Sequence, residues 1–269
     1  MVQSRGERSR PSVNGLRCLV LLIAPMLGNS SGEDMKTIGL LGGMSWESTV
    51  SYYQTINRVV GERIGGLHSA KILLHSVDFH DVERLQHAGR WEEAGELLSS
   101  AARNLESASA ELLILCTNTM HRVAPQIEAS VSIPFLHIAD ATAERISSAG
   151  LTRVGLLGTR FTMEQDFYRG RLEERHGLEV VVPSERDRES VNSIIYEELC
   201  RGQVLESSRS EYRRIMSDLV AAGCEGIVLG CTEIGLLVQP SDAPVPLFDT
   251  AEIHAEKAAA YALDDEAAA

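Results

Sequence analysis

Past residue 34 the chain alternates short, continuous apolar runs with longer stretches in which apolar residues recur every three or four positions. The runs suit strands buried on both faces, and the longer stretches suit helices with one buried side. The pattern predicts strands at 37–42, 70–77, 111–116, 133–137, 153–158, 178–183, 226–231 and 245–248. Between them it predicts helices at 46–63, 91–108, 138–149, 163–176, 188–201, 208–222 and 250–263. Strands and helices in alternation make β-α-β units and a parallel sheet. Gly150 and Gly223 stand just past two of these helices, where a glycine ends a helix without strain.

The landmarks come twice. Thr37-Ile38-Gly39-Leu40-Leu41-Gly42-Gly43 is echoed by Thr152-Arg153-Val154-Gly155-Leu156-Leu157-Gly158. Leu112-Leu113-Ile114-Leu115-Cys116-Thr117-Asn118 is echoed by Gly226-Ile227-Val228-Leu229-Gly230-Cys231-Thr232-Glu233. The spacing from glycine to thiol is 74 positions in one copy (Gly42 to Cys116) and 73 in the other (Gly158 to Cys231). A third pair follows each thiol, Ile133-Pro134-Phe135-Leu136-His137 and Val245-Pro246-Leu247-Phe248-Asp249. Matched landmarks in one order indicate an internal duplication. The expected fold is therefore α/β, with two pseudo-symmetric, flavodoxin-like parallel-sheet halves and an active-site cleft between them. The first domain is expected at 35–149, joined by the C-terminal segment 246–263, and the second at 150–245.

Composition narrows the function classes. The 269 residues are 44% hydrophobic and 23% charged, as in ordinary globular enzymes. A formal net charge of −13 argues against nucleic acid as a partner. The five cysteines include no C-x-x-C pair, which removes the zinc-knuckle and thioredoxin-type readings and points to a reducing, cytoplasmic setting. Residues 1–34 stand apart. Arg5, Arg8, Arg10 and Arg17 precede an apolar run from Cys18 to Leu27, interrupted by Pro25. Such a run is too short to cross a bilayer, so no membrane partner is expected. The segment reads either as a signal-like or loose extension, or as the product of a start assigned ahead of Met35.

Ligands of doubly wound sheets gather at the carboxyl ends of the strands. Gly42, Cys116, Thr117, Thr159 and Cys231 all fall at predicted strand ends. Backbone N–H groups at the helix starts that follow can hold an anion and lower a thiol's pKa. The turn Gly42-Gly43-Met44-Ser45 lacks the spacing of a nucleotide cradle. It is either a close approach for a small carboxylate or simply the geometry of a strand-to-helix turn. His75, His80 and His87 straddle a strand and a loop, so no metal site is assigned to them. Asp78, Glu83, Arg84 and Gln86 follow the second strand as loop residues or as walls of a substrate pocket. His121, four positions after Thr117, is placed to lean toward that hydroxyl.

With these residues in view, the chain resembles the aspartate/glutamate racemase family, in particular its enterobacterial amino-acid racemase branch. The resemblance rests on Lys36-Thr37-Ile38-Gly39-Leu40-Leu41-Gly42-Gly43-Met44, on Asn118-Thr119-Met120-His121 and on Gly230-Cys231-Thr232-Glu233, and runs from about Met35 to Leu263. It implies two α/β halves with one thiol from each flanking the substrate Cα, no pyridoxal phosphate or other cofactor, a small amino acid as ligand, and a homodimer. It also implies Met44, Ser45, Gln86, Asn118, Thr119, Thr159, Thr232 and Glu233 as substrate contacts.

One departure matters. The family's first motif places Cys directly before Asn-Thr, whereas this chain reads Cys116-Thr117-Asn118-Thr119. Aligning on Asn-Thr puts Thr117 in the catalytic slot, opposite Cys231. Adjacent strand residues face opposite ways, so only one of Cys116 and Thr117 reaches the substrate. Thr117 is the expectation, with Cys116 packed beneath, and Cys116 is the alternative. A hydroxyl is a far weaker acid than a thiol, so Cys231 is the expected base and Thr117 a donor or relay. Acidic-substrate members of the family carry a basic residue before the helix near 188, where this chain has Glu189 with Arg186 and Arg188 beside it. That leaves the range open between aspartate or glutamate and small polar amino acids. Hydantoin racemase, maleate isomerase and malonate decarboxylase chemistries on the same fold are the enzymatic alternatives, and an amino-acid sensor is the non-enzymatic one.

Overall fold

The computed structural model describes residue 1 and residues 35–264, so the expectations for 1–34 lie outside the described residues. The first sheet comprises β1 (Ile38–Gly42), β2 (Ile72–Ser76), β3 (Leu112–Leu115) and β4 (Phe135–Leu136), in the order β2-β1-β3-β4. The second comprises β5 (Arg153–Gly158), β6 (Glu179–Val181), β7 (Gly226–Gly230) and β8 (Leu247–Asp249), in the order β6-β5-β7-β8. Every pairing is parallel. The two sheets repeat one topology, which is the duplication seen in three dimensions. Leu41 pairs with Leu115 in the first sheet and Gly158 with Gly230 in the second, so the thiol-bearing segments leave both sheets at equivalent strand ends.

The helices are α1 (Trp46–Ile64), α2 (Phe79–His87), α3 (Trp91–Ser107), α4 (Ala124–Glu128), α5 (Ile138–Ser148), α6 (Arg160–Glu164), α7 (Arg169–His176), α8 (Glu185–Glu197), α9 (Glu206–Ala221), α10 (Ile234–Leu237) and α11 (Thr250–Ala262). Side-chain caps start several of them. Ser45 caps α1, Asp78 caps α2, Ser184 caps α8 and Asp249 caps α11, each satisfying an otherwise orphaned backbone N–H. Gly150 and Gly223 follow α5 and α9 with φ of +73° and +92°, the left-handed conformation expected of them. Among the described residues no helix is long and apolar enough to cross a membrane.

Several elements differ from the sequence pattern, among them the short helices α4 and α10, which it does not predict. The segment after β2 is the helix α2, started by the Asp78 cap and held by buried Val82 and Leu85. The stretch 163–176 is two helices, α6 and α7, separated at Gln165–Tyr168. The helix predicted from 188 begins at Glu185, because Ser184 accepts from Asp187 N.

The lobes also divide differently from a boundary at 150. Helix α5 leaves the first sheet and buries Ile138, Ala139, Ala143 and Ile146 with Tyr168, Leu172 and Ile215 in the core of the second lobe. Helix α11 makes the reverse crossing. Its Ala251, Ala255, Ala258, Ala259 and Ala262 pack with Ile38, Leu40, Tyr52 and Ile56 of the first lobe. β8, assigned by sequence with the C-terminal segment to the first domain, pairs with β7 in the second sheet. Only the helix after it changes sides. The alanine face of α11 permits this, since small side chains let a helix lie close over a sheet. Each lobe thus lends its last helix to the other, which ties them into one body.

Candidate active site

The strand ends converge as the topology demands. Thr117, Asn118 and Thr119 follow β3, Cys231, Thr232 and Glu233 follow β7, Thr159 follows β5, and Met44 follows β1. Together with Phe79 and Gln86 from α2, Ile195 and Tyr196 from α8, and Cys200 from the turn after it, they line one cleft between the lobes. The cleft holds about 20 Å³ of free space, enough for about one water. Aromatic contacts cross from lobe to lobe nearby, and Tyr196 takes part in one of them. The His87 and Tyr196 rings meet edge to face at 5.7 Å, and Trp91 meets Phe161 at 5.2 Å. Next to the cleft is a more open cavity of about 570 Å³, which shares Phe79, Tyr196 and Cys200 with it.

Cys231 and Glu233 form the core of the site. The Cys231 thiol donates to Glu233 Oε2 at 2.9 Å, and the Thr232 hydroxyl donates to the same oxygen at 2.9 Å. On the other oxygen, Glu233 Oε1 accepts from the Ser45 hydroxyl at 2.7 Å and from Ser45 N at 3.3 Å. Four donors from two lobes therefore converge on one carboxylate that is 2% exposed. Burial pushes the Cys231 thiol well above its ordinary pKa, and the Glu233 charge beside it pushes the same way. In the resting site the sulfur therefore carries its proton, already aimed at an acceptor.

Thr117 stands on the cleft wall and is 6% exposed. Cys116 does not reach the cleft. It is fully buried among Ile38, Leu40, Tyr52 and Ile114, and burial raises its pKa. Its candidacy as a catalytic thiol is thus corrected. Cys116 continues the β3 face of Leu112 and Ile114 into the core, and just past it the chain turns, Thr117 N donating to Leu115 O at 2.8 Å, which brings Thr117 to the cleft. His121 is placed differently from expectation. Its Nδ1 donates to the Thr117 carbonyl oxygen at 2.7 Å rather than meeting the hydroxyl, while Nε2 accepts from Ile138 N at 3.2 Å. Burial holds its pKa well below the ordinary value, which fits a neutral ring fixing the backbone of the 117 loop.

The remaining candidates divide by what their polar atoms do. Thr119 and Thr159 share a hydroxyl hydrogen bond of 3.0 Å across the cleft. Asn118 Nδ2 donates to Thr250 Oγ1 at 2.9 Å, leaving Asn118 Oδ1 without a partner in a side chain that is 2% exposed. Ser45 lies behind the wall with its hydroxyl spent on Glu233, so it braces the site. In the Gly43 turn, Gly43 N is spent on Thr49 Oγ1 at 2.9 Å and Ser45 N on the Glu233 carboxylate at 3.3 Å. What the turn requires is room. A Cβ on Gly43 would lie 2.3 Å from Val77 O, and its φ is +95°. Phe79, Ile195, Tyr196 and Cys200 are wall residues that sequence reasoning missed, because α2 and the end of α8 carry no motif. Among the described residues no three His, Cys, Asp or Glu side chains gather as metal ligands.

Comparison with known proteins follows the same lines. A family model described as Asp/Glu/hydantoin racemase matches residues 41–258. A crystal structure from Yersinia pestis, named as a provisional Asp/Glu racemase, is 60% identical with a TM-score of 0.80 and covers 85% of this chain and 100% of its own. An aspartate racemase homologue from Pyrococcus horikoshii OT3 is 38% identical with a TM-score of 0.74, covering 85% of this chain and 99% of its own. A broad specificity amino-acid racemase from Bacillus subtilis (strain 168) is 21% identical over 218 residues, 79% of this chain and 92% of that protein.

Proposed function

The chain belongs to the Asp/Glu/hydantoin racemase family, and from that premise we propose that it inverts the Cα of a free amino acid by proton transfer between Cys231 and the Thr117 side of the cleft. The observation that carries this reading is the convergence on one cleft of Cys231, from the second lobe, and Thr117, from the first. With the Cys231 thiol donating to Glu233, the pair holds both the base and the acceptor that frees it.

The proposed sequence balances its protons. As substrate enters, the thiol proton passes to Glu233 and leaves a thiolate. The thiolate removes the Cα proton, the Thr117 hydroxyl delivers one to the opposite face, and the proton that Glu233 took returns through water to the Thr117 alkoxide, which resets the site. Asn118 Oδ1, free of protein partners, accepts from the substrate ammonium. Thr117 is the weak member of the pair. A racemase has an equilibrium constant of unity, so kcat/KM is equal for the two enantiomers and the imbalance appears elsewhere. Proton washout from the enantiomer facing Cys231 is expected to outrun net inversion.

The substrate is aspartate, glutamate or a related amino acid. The family and the named neighbours support the acidic pair. Against a narrow range stands the cleft wall, which carries no lysine, arginine or histidine to neutralise a second carboxylate. Arg160 and Arg188, near the position where acidic-substrate relatives keep a base, are tied to Glu189 and Glu164. A range wider than two acids fits better.

The test is Cα–H exchange in D₂O, followed for both enantiomers of a panel of amino acids. Cys231→Ser should abolish exchange. Thr117→Ala should keep exchange of one enantiomer while losing inversion. Full racemisation by Cys231→Ser would end the reading.

A further inference from the structure

Helix α1 leaves an apolar stripe uncovered on one flank. Trp46, Val50 and Tyr53 recur at helical spacing and are 66, 44 and 53% exposed. The stripe continues to Asn57, whose side chain donates to the Tyr53 carbonyl oxygen and accepts from Ala70 N, so no charged residue shares it. Leu74, 49% exposed, joins it from β2. Thr49 Cγ2 and Leu74 Cδ1 lie 2.5 and 3.2 Å from where a Cβ on Gly42 would stand, which places Leu74 beside α1. β2 is also the outer strand of its sheet, and its residues Ile72-Leu73-Leu74-His75-Ser76 carry no permanent charge.

The duplication supplies an internal comparison. In the second lobe β5 is followed by α6, α7 and the outer strand β6, as β1 is followed by α1 and β2. Every exposed residue of α6, α7 and β6 other than glycine is charged, namely Glu164, Glu174, Arg175 and Glu179. Charges of this kind keep an outer strand from pairing with another chain. One lobe is blunted at this position and the other is left apolar. The fold itself therefore does not require the apolar face.

Charge and area say what covers it. Copies of a chain with a formal net charge of −13 repel each other over most of their surface, and an uncharged face is where they can meet. The four side chains present on the order of 400 Å² of apolar surface. A standard interface buries about 800 Å² per partner, of which about 60% is apolar, so the patch supplies most of that share. A face carrying both a helix stripe and an open strand edge is self-complementary about a two-fold axis. We infer that a second copy of this chain docks here, α1 and β2 of each facing α1 and β2 of the other, and that the contact steadies the start of α1. Trp46 directly follows Ser45, whose hydroxyl and N–H hold the Glu233 carboxylate. The interface stands apart from the racemase reading, whereas its effect on the site rests on that reading.

Sedimentation velocity of the full chain, over a wide span of concentrations, should show a monomer–dimer equilibrium. Trp46→Ala and Val50→Glu should each raise the dimer dissociation constant by about tenfold or more, while Glu174→Arg on α7 should leave it within about threefold. A chain that stays monomeric throughout, a dimer indifferent to Trp46→Ala and Val50→Glu, or open-ended assembly overturns the inference. Amide hydrogen exchange of the unaltered chain needs no variant. On dilution residues 46–57 and 72–76 should lose protection and residues 169–181 should not, and protection independent of concentration also overturns it. The rate of Cα–H exchange per chain should fall on dilution in step with dissociation, and a constant rate overturns the effect on the site. A dimer that behaves as expected but exchanges no Cα proton at any concentration would defeat the racemase reading and leave the interface standing.

Discussion

Replacing Glu233 with glutamine separates two roles that the structure gives one carboxylate. The glutamine carbonyl can still accept from the Ser45 hydroxyl and N–H, now 2.7 and 3.3 Å from Oε1. Its NH₂ would then face the Thr232 hydroxyl and the Cys231 thiol, both 2.9 Å from Oε2. The hydroxyl can turn to accept, whereas a thiol accepts poorly, so one good hydrogen bond is lost and stability falls by about 1–3 kcal/mol. The rate responds to two opposed effects. Removing the negative charge lowers the thiol's pKa, which favours thiolate. Removing the acceptor takes away the destination of the thiol's proton, an effect of about 10²–10⁴ in rate for an acid–base partner. Burial is the larger cause of the raised Cys231 pKa and survives the substitution, so loss of the acceptor wins. Glu233→Gln should slow Cα–H exchange by about 10²–10⁴ and move the exchange-competent limb to higher pH. The assay is proton NMR in D₂O across pH 6–10 (roughly the span of thiol titration), on protein shown to melt cooperatively. Exchange as fast as wild type, or faster, would mean that Glu233 only repels the thiolate and would refute the proton route.

Other expectations follow from burial. Cys116→Ala should cost about 1–2 kcal/mol in chemical denaturation through a small cavity and leave exchange within a few-fold of wild type; a collapse of exchange with unchanged stability would restore Cys116 to the reaction. Burial holds His254 at a pKa of about 4 and His137 at about 2, both below the unfolded value near 6.5. The unfolded chain then binds more protons, so their stabilisation, full at neutral pH, is lost as pH falls below about 6.5, by about 2 kcal/mol each at pH 5. Asp249, raised to about 6 by burial, works in the opposite direction and returns about 1 kcal/mol over the same window. His254→Gln keeps a donor for the Leu136 carbonyl and an acceptor for the Tyr52 hydroxyl, so its denaturation midpoint should depend less on pH by a corresponding amount. An identical pH dependence in the two proteins would show that His254 is not held neutral.

Much of the architecture was legible because it is encoded locally. Short continuous apolar runs such as Leu112–Leu115, bounded by turn residues, suit strands covered on both faces, and the order of the repeated landmarks carries over directly to the repeated strand order. The inward facing of Cys116 continues the period of two along Leu112 and Ile114, which needs no knowledge of the partner strand, whereas the turn at Thr117 was not visible in that pattern. Helix α2 was less visible, since its cap and apolar positions span only nine residues, from Phe79 to His87.

What the linear pattern left open was decided by partners far away in the chain. Ser45 and Glu233 are 188 positions apart, and nothing near either one marks the bond that commits Ser45 to bracing the carboxylate. The exchange of α5 and α11 between lobes depends on which sheet face is still uncovered once both lobes exist, a property of the assembled surface. The contact of the His87 and Tyr196 rings across the lobes, and the unpaired carbonyl of Gln86, are likewise outcomes of packing. Period and turn chemistry place a side chain on a face or at a strand end. Which hydrogen-bonding atom is left without a partner there depends on every neighbour that folding brings to it, and that appears only in the tertiary structure.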